Sequence, residues 1–366
     1  METSKPITFA RTQRDFVSTL NKRVNEYFKV NNVSRHGNAE MIIKTFCMFL
    51  AYFGPYTLVL TGVITGTLPL ILAVAVMSLG LAGIGLSVMH DANHGAYSHK
   101  PWVNTLVGYS LNLVGANAFN WKIQHNVLHH SFTNVHEADE DISPRGVLRL
   151  SPHSDWKKVH QYQFIYAWFL YGLMTLVWLF FKDFARIVRY HQTGLAKKHT
   201  PSVAAEWAIL VGTKLVYIGY IMVVPLIFTS LLWWQILLGV IIMHYIAGFI
   251  LAIIFQPAHV IEGTEYPLPD ENNTLENNWA VHQLLTTTNF GNKSRWFSWY
   301  VGGLNFQIEH HLFPNICHVH YRRISSIVKE TAAEYGLPYK SSRTFLGALA
   351  GHTRLLKQLG ARPAYS

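Results

Sequence analysis

Cysteine, acidic charge and polar linker sequence are all scarce in this chain. Cys47 and Cys317 are the two cysteines among 366 residues, and they stand far apart. A disulfide framework and a zinc–thiolate site are therefore excluded as organising features. Charged residues make up 14% of the chain, with 20 Asp and Glu against 30 Lys and Arg. That is low for a soluble domain. No Pro/Gly/Ser-rich linker and no repeat of solenoid period interrupts the sequence. The N-terminal forty residues are polar and mixed in charge, without the apolar core or small-residue cleavage site of a signal peptide. His136-Glu137 is not followed by a histidine at zincin spacing, which removes the zinc-protease reading.

Apolar sequence and histidine are abundant. Half of the residues are hydrophobic, and 20 are histidine. The first apolar runs are 41–65, broken once by Lys44, and 68–89, which carries no charge. At about 1.5 Å per residue either can cross about 30 Å of hydrocarbon. The Gly66-Thr67 link leaves room only for a tight turn, so the two form a hairpin. Basic residues precede the first run and the outer tip has none, which places the N-terminus and His90 in the cytoplasm. The run 102–119 is broken by Asn104, Asn112, Asn117 and glycines, and reads as interfacial. The chain's formal charge of +10 is one signature of nucleic-acid binding. Here the basic residues flank apolar runs, so membrane orientation and anionic lipid explain them and nucleic acid is not expected.

Three histidine groups follow apolar stretches: His90 with His94, His125 with His129 and His130, and His310 with His311. On an α-helix residues four apart share a face. His90 and His94 can then reach one centre, as can His125 and His129, with His130 about 100° around. Asp91 and Asn93 stand where they can orient those rings, and Asp139, Glu140 and Asp141 can do so for the second group, unless they form a solvated acidic turn. Gln307, one turn before His310, is a poorer ligand than imidazole and is expected to hydrogen-bond a ligand or water. Seven histidines fall short of the roughly eight nitrogens two metals would take without a bridging carboxylate. His259, where the last apolar run ends, is the further ligand candidate; His282 and His99 read as surface or ring-orienting groups. His136, His153, His160, His318 and His320 read as solvated loop residues. His244 lies about 22 Å of helix before His259, too deep for the same centre, and is expected to bond another helix.

Parity constrains the rest. Runs 164–181, 207–228 and 231–255 follow the second group. If all three crossed, the third group would face the side opposite the first two. The run 164–181 is short and aromatic and precedes Lys182, Arg186, Arg189, Lys197 and Lys198, so it is expected not to span. Lys214, inside the next region, must snorkel or pair within the bundle. The expected fold is an all-α integral membrane protein, with four transmembrane helices in two hairpins, a cytoplasmic histidine-rich cap and interfacial helices. The expected segments are a cytoplasmic lead, 1–40, with an interfacial helix around Phe16 to Val30 or a loose tail; a membrane and cap domain, 41–330; and a basic tail, 331–366.

These residues resemble the membrane-bound fatty acid desaturases, whose three boxes read HX3–4H, HX2–3HH and [HQ]X2HH. The likeness covers roughly residues 40 to 330 and includes His90-Asp91-Ala92-Asn93-His94-Gly95, Gln256-Pro257-Ala258-His259-Val260 and Gly303-Leu304-Asn305-Phe306-Gln307 through Pro314. A glutamine heading the third box is similar to the front-end and linoleoyl-CoA branch, which inserts a double bond between an existing one and the carboxyl end. The resemblance implies two non-haem iron ions held by histidine, with His259 matching the family's additional ligand, and O2 as co-substrate. It implies cis desaturation of an acyl chain carried on CoA or on a lipid, in an apolar tunnel of the bundle. The His-Pro-Gly-Gly motif of a fused cytochrome b5 does not occur. Electrons are then expected from a separate ferredoxin or cytochrome b5, and the chain is expected in a bacterial cytoplasmic membrane. A lipid hydroxylase or ketolase of the same superfamily is the nearest alternative; a haem electron carrier and a metal transporter are the others.

Overall fold

The computed structural model describes residues 6–143 and 146–362. The ends of the expected lead and tail, 1–5 and 363–366, lie outside the described residues. In chain order the principal helices are α1 (Arg14–Val30), α2 (Ala39–Leu60), α3 (Thr67–Asn93), α4 (Pro101–Gly108) and α5 (118–132). There follow α6 (Lys158–Gly172), α7 (Met174–Gln192), α8 (Val203–Phe228) and α9 (Trp233–His259). The last are α10 (Trp279–Thr286), α11 (Arg295–Tyr300), α12 (Gln307–Leu312), α13 (Tyr321–Glu334) and α14 (Phe345–Gly360). Extended structure among the described residues is two parallel pairs of two-residue strands: β1 (Thr8–Phe9) with β2 (Thr274–Leu275), and β3 (Asn289–Phe290) with β4 (Ser341–Ser342).

The chain divides into two compact units. One comprises Gly37–Ile123 and Trp168–Ile253; the other comprises residues 1–36, Gln124–Ala167 and Ile254–Ser366. The first is the membrane unit. Helices α2, α3, α8 and α9 are each long and apolar enough to cross a bilayer, as expected for an all-α membrane protein with four spans. On α2, Ile42, Ile43, Phe46 and Leu50 are more than half exposed. That exposure suits lipid. Helices α2 and α3 approach closely because Gly80 and Gly83 carry no side chain where Tyr52 and Met48 lie. The aromatic run 164–181 falls on α6 and α7, which meet at an angle of 61°. No straight helix forms there: the bent pair has the form of a broken span or of a re-entrant loop, and the expectation that this run does not span rests on the parity of the histidine groups. Gly172 at the bend packs against the Tyr245 ring, where a Cβ would not fit.

Two buried polar residues of this unit resolve as expected. Lys214 pairs with Asp183 at 2.7 Å. His244 bonds other helices: its Nε2 lies 2.5 Å from the Tyr217 hydroxyl and its Nδ1 lies 3.1 Å from Thr175 Oγ1.

The second unit is a polar cap built on amphipathic helices. Phe16, Leu20, Val24 and Phe28 recur every fourth residue and form one buried stripe on α1. The stripe packs on Ile324, Val328 and Ala332 of α13 and on Ile308 and Leu312 of α12. Each such side chain contributes roughly 1.5–3 kcal/mol when fully buried. Arg23 adds a two-pronged contact to Glu334, both N–O distances being 2.8 Å. Residues 14–30 therefore form the helix expected there, but its apolar face is spent on the cap core instead of a membrane interface.

Candidate metal centre

Helix α5 carries the second histidine group, and its local geometry differs from the expected α-helix. Residues Lys122–His129 are π-helical, closed by i→i+5 bonds. A wider turn brings residue i+5 back round towards residue i. His130 is thereby returned to His125, their Nε2 atoms lying 3.2 Å apart. His130 Nε2 is also 2.9 Å from His310 Nε2. The first group has a similar device: Ile84–Val88 is a π-helical turn inside α3 that ends two residues before His90. In the membrane unit the His90 and His94 ring centroids lie 4.8 Å apart, and both rings meet Trp121 edge-on, at 5.4 and 5.6 Å.

In the cap unit six of the predicted ligands converge. His129, His259 and His311 each place one ring nitrogen within 4.8 Å of the other two, and so do His130, His310 and His311. These five and His125, the sixth, are all buried. The opposite nitrogens are tied down. His129 Nδ1 lies 3.0 Å from Asp139 Oδ2, and His310 Nδ1 lies 3.2 Å from the Tyr321 hydroxyl. His311 Nδ1 lies 2.8 Å from Gln283 Oε1, and His259 Nδ1 lies 3.3 Å from the Thr286 carbonyl. A ring whose Nδ1–H donates outward turns its Nε2 lone pair inward. His259 Nε2 is buried with no hydrogen-bond partner, as is Gln307 Nε2. The Gln307 amide lies beside the His259 ring. A buried ring lone pair such as that of His259 Nε2 is costly when unmatched, and a cation among the imidazoles satisfies it. The donor set is all imidazole, which suits iron.

The partners that hold the rings were only partly legible beforehand. Asp139 lies closer to His129 than Asp141 does, at 3.0 against 3.6 Å from Nδ1. Asp139 is fully buried and also accepts from the Asn134 and Asp141 backbone N–H groups. Burial alone would raise its pKa, but His129 and those two donors hold it below the usual carboxylate value, so it is ionised at neutral pH. Asp91 Oδ1 lies 3.9 Å from His90 Nδ1, and Asn93 donates to the Gly108 carbonyl at 3.4 Å. Gln283, Thr286 and Tyr321 were missed, because an amide, a backbone carbonyl and a phenol carry no histidine-like signal. Glu309 was missed as well. Its carboxylate accepts from Asn289 Nδ2 at 2.8 Å and from the Tyr339 hydroxyl at 2.9 Å, tying α12 to β3 and to the chain before β4. Burial pushes Glu309 up to about 7, against the pull of those two bonds.

His282 Nε2 donates to the Thr133 carbonyl, 2.9 Å away, beside the cluster. Burial lowers its pKa to about 4, so it is neutral and its ring N–H donates there. His99 is exposed. His160, His318 and His320 are buried and not solvated as expected. His160 has two backbone partners, Lys157 N–H and the Gly146 carbonyl, and His320 has the His36 carbonyl. Backbone contacts of this kind leave no mark in the spacing of the sequence.

Asp139→Asn tests the orienting contact. The amide keeps the shape but loses the charge that fixes the His129 tautomer. Iron affinity is expected to fall about 10–100-fold, measured by metal titration of the purified protein. Wild-type affinity in the variant would show that Asp139 serves the loop alone.

The family model for fatty acid desaturases matches residues 65–343. The sn-1 linoleoyl-lipid 6-desaturase of Synechocystis sp. is 34% identical over 98% of this chain and 99% of its own length. That of Arthrospira platensis is 33% identical, over 99% and 96%. The acyl-lipid (8-3)-desaturase of Physcomitrium patens is 37% identical over 94% of this chain and 72% of its own length. The chain belongs to the fatty acid desaturase family.

Proposed function

We propose that this oxidoreductase is a front-end acyl-lipid desaturase. It inserts a cis double bond between an existing one and the carboxyl end of a chain esterified in a membrane lipid. The observation that carries the reading is the inward set of imidazoles in the cap unit, four of which, His129, His259, His310 and His311, are held from the far nitrogen. Full-length similarity to lipid-linked 6-desaturases supports the substrate class. Iron is the family's metal. We assign two ions to His90, His94, His125, His129, His130, His259, His310 and His311.

An unactivated methylene has no acidic proton for a side-chain base to remove, so the bound iron's contribution is oxygen chemistry. The stoichiometry is one O2, two protons and two electrons from a donor, with two hydrogens from the acyl chain, giving two waters and one alkene. Asp139, Gln283, Tyr321 and the Thr286 carbonyl hold the rings at fixed angles, so no reorganisation is needed at each turnover. Burial of all six cap histidines keeps bulk water away. Gln307, beside His259, holds a hydrogen-bonding group at the rim of the cluster. The charge pattern of the chain supports a metal site on the cytoplasmic side of the membrane. The electron donor is a separate carrier, a ferredoxin or a cytochrome b5.

Expression in a host with defined fatty acids, followed by mass-spectrometric localisation of double bonds, tests this reading. The expected product carries a new bond on the carboxyl side of an existing one. A new bond on the methyl side would overturn the front-end assignment, and a hydroxylated lipid without a new bond would overturn desaturation.

A further inference from the structure

The basic residues of the C-terminal quarter have few acidic counterparts. From Trp279 to Ser366 the chain has ten Lys and Arg against three acids, Glu309, Glu330 and Glu334. Glu309 is buried, and Glu334 is taken up by Arg23. Lys293, Arg295, Arg322, Arg323 and Arg343 are all exposed, and none forms an ion pair among the described residues.

The fold brings the chain segments that carry these cations together around the third histidine box. The turn after α11 packs on the start of α13, because Gly303 has only hydrogen where a Cβ would lie 2.8 Å from the His318 Cβ and 3.2 Å from the Tyr321 ring. Pairing of β3 with β4 sets Phe290 beside Ser342, and the Phe297 and Phe345 rings pack at 4.9 Å. Lys293 and Arg343 therefore leave the same end of that strand pair. The Arg322 guanidinium lies 5.6 Å over the Phe306 ring. Burial, and then the like charge of Arg295, lower the Arg322 pKa. Neither guanidinium has an ion pair among the described residues, an arrangement that an anionic partner relieves. Trp296, on the same short helix as Arg295, is 85% exposed. Exposed Trp and Arg are the residue types that dominate protein–protein contacts.

This surface adjoins the metal ligands. Tyr321 is the chain neighbour of Arg322, and its hydroxyl is 3.2 Å from His310 Nδ1. Phe306, under Arg322, accepts the His310 backbone N–H at 3.0 Å. Among the described residues no candidate span lies wholly within the cap unit.

We propose that Lys293, Arg295, Arg322, Arg323 and Arg343, with Trp296, form the docking surface for an acidic one-electron carrier protein, which delivers electrons by way of Tyr321 and His310. The proposal rests on the desaturase reading, which needs two external electrons for each O2. Each docking oxidises the carrier by one electron and reduces the centre by one, so two dockings supply the pair. Charge complementarity sets the encounter rate and its salt dependence.

The test uses the full chain in nanodiscs of neutral phosphatidylcholine, and in a second set that contains phosphatidylglycerol. An acidic [2Fe–2S] ferredoxin and the soluble domain of cytochrome b5 are titrated onto it in turn. At least one is expected to bind, with Arg295→Glu/Arg322→Glu weakening Kd about tenfold or more at low salt. The difference should shrink as ionic strength rises. Arg14→Glu/Lys22→Glu, the same charge change at exposed positions of α1, should leave Kd unchanged. Three results would overturn the proposal: neither carrier binds; the α1 variant loses as much affinity; or the arginine variant binds both carriers normally and loses only a preference for phosphatidylglycerol, which marks a lipid-headgroup surface. Binding is read without turnover, so failure here is distinct from failure to find a desaturated product.

Discussion

Replacing His311 by alanine is expected to abolish the new double bond and to lower bound iron, while the protein still accumulates in the membrane. His311 belongs to both triads of the cap unit, with His129 and His259 and with His130 and His310. Its Nδ1 is fixed by Gln283, which also donates to the His130 carbonyl at 3.1 Å. Removing the ring therefore takes a nitrogen from two sets at once and leaves Gln283 Oε1 the Thr133 hydroxyl, 3.0 Å away, as a remaining donor. The backbone of α12 keeps its own anchors, the Asn289 side chain on the Ile308 N–H and the Glu309 carboxylate on Tyr339. Loss of function should then come without loss of fold. Three measurements check it: lipid products by mass spectrometry, iron by elemental analysis, and the protein content of the membrane fraction. Full activity in the variant would remove His311 from the ligand set.

The membrane helices were legible because hydrocarbon imposes a length and a composition on them. Met41 to Thr65 was read as a span, and Ala39–Leu60 forms one. The end of the last run at His259 was equally plain. What sequence periodicity could not supply was the π-helical closure of Lys122–His129. Under 3.6-residue periodicity His130 points about 140° away from His125, yet the two Nε2 atoms lie 3.2 Å apart. The amphipathic stripe of α1 was legible as a helix, but its destination was not, because a membrane interface and a protein core reward the same spacing. Lys214 was visible as an anomaly in an apolar run. Its partner, Asp183, stood beside the basic residues 182–189 and gave no sign of being buried.

Lys214→Met is expected to be among the most destabilising single changes in the membrane unit. Lys214 Nζ donates to the Gly115 carbonyl at 2.7 Å, to the Trp178 carbonyl at 3.1 Å and to Asp183 Oδ2 at 2.7 Å. Both charged side chains are almost fully buried. The Asp183 carbonyl in turn accepts from Asn120 Nδ2 at 2.8 Å. Asn120 precedes Trp121, against which the His90 and His94 rings lean. Deleting the ammonium strands a carboxylate and two carbonyls in a low-dielectric environment. Breaking a buried pair from one side costs about 3–5 kcal/mol. Replacing both ends with uncharged groups is far milder, so Lys214→Met/Asp183→Asn should recover a large part of the loss. Thermal unfolding in detergent, at matched protein concentration and heating rate, separates the variants. A midpoint for Lys214→Met equal to that of the wild type would mean that water or lipid headgroups solvate Asp183, and that the pair does not hold the segment beneath Trp121.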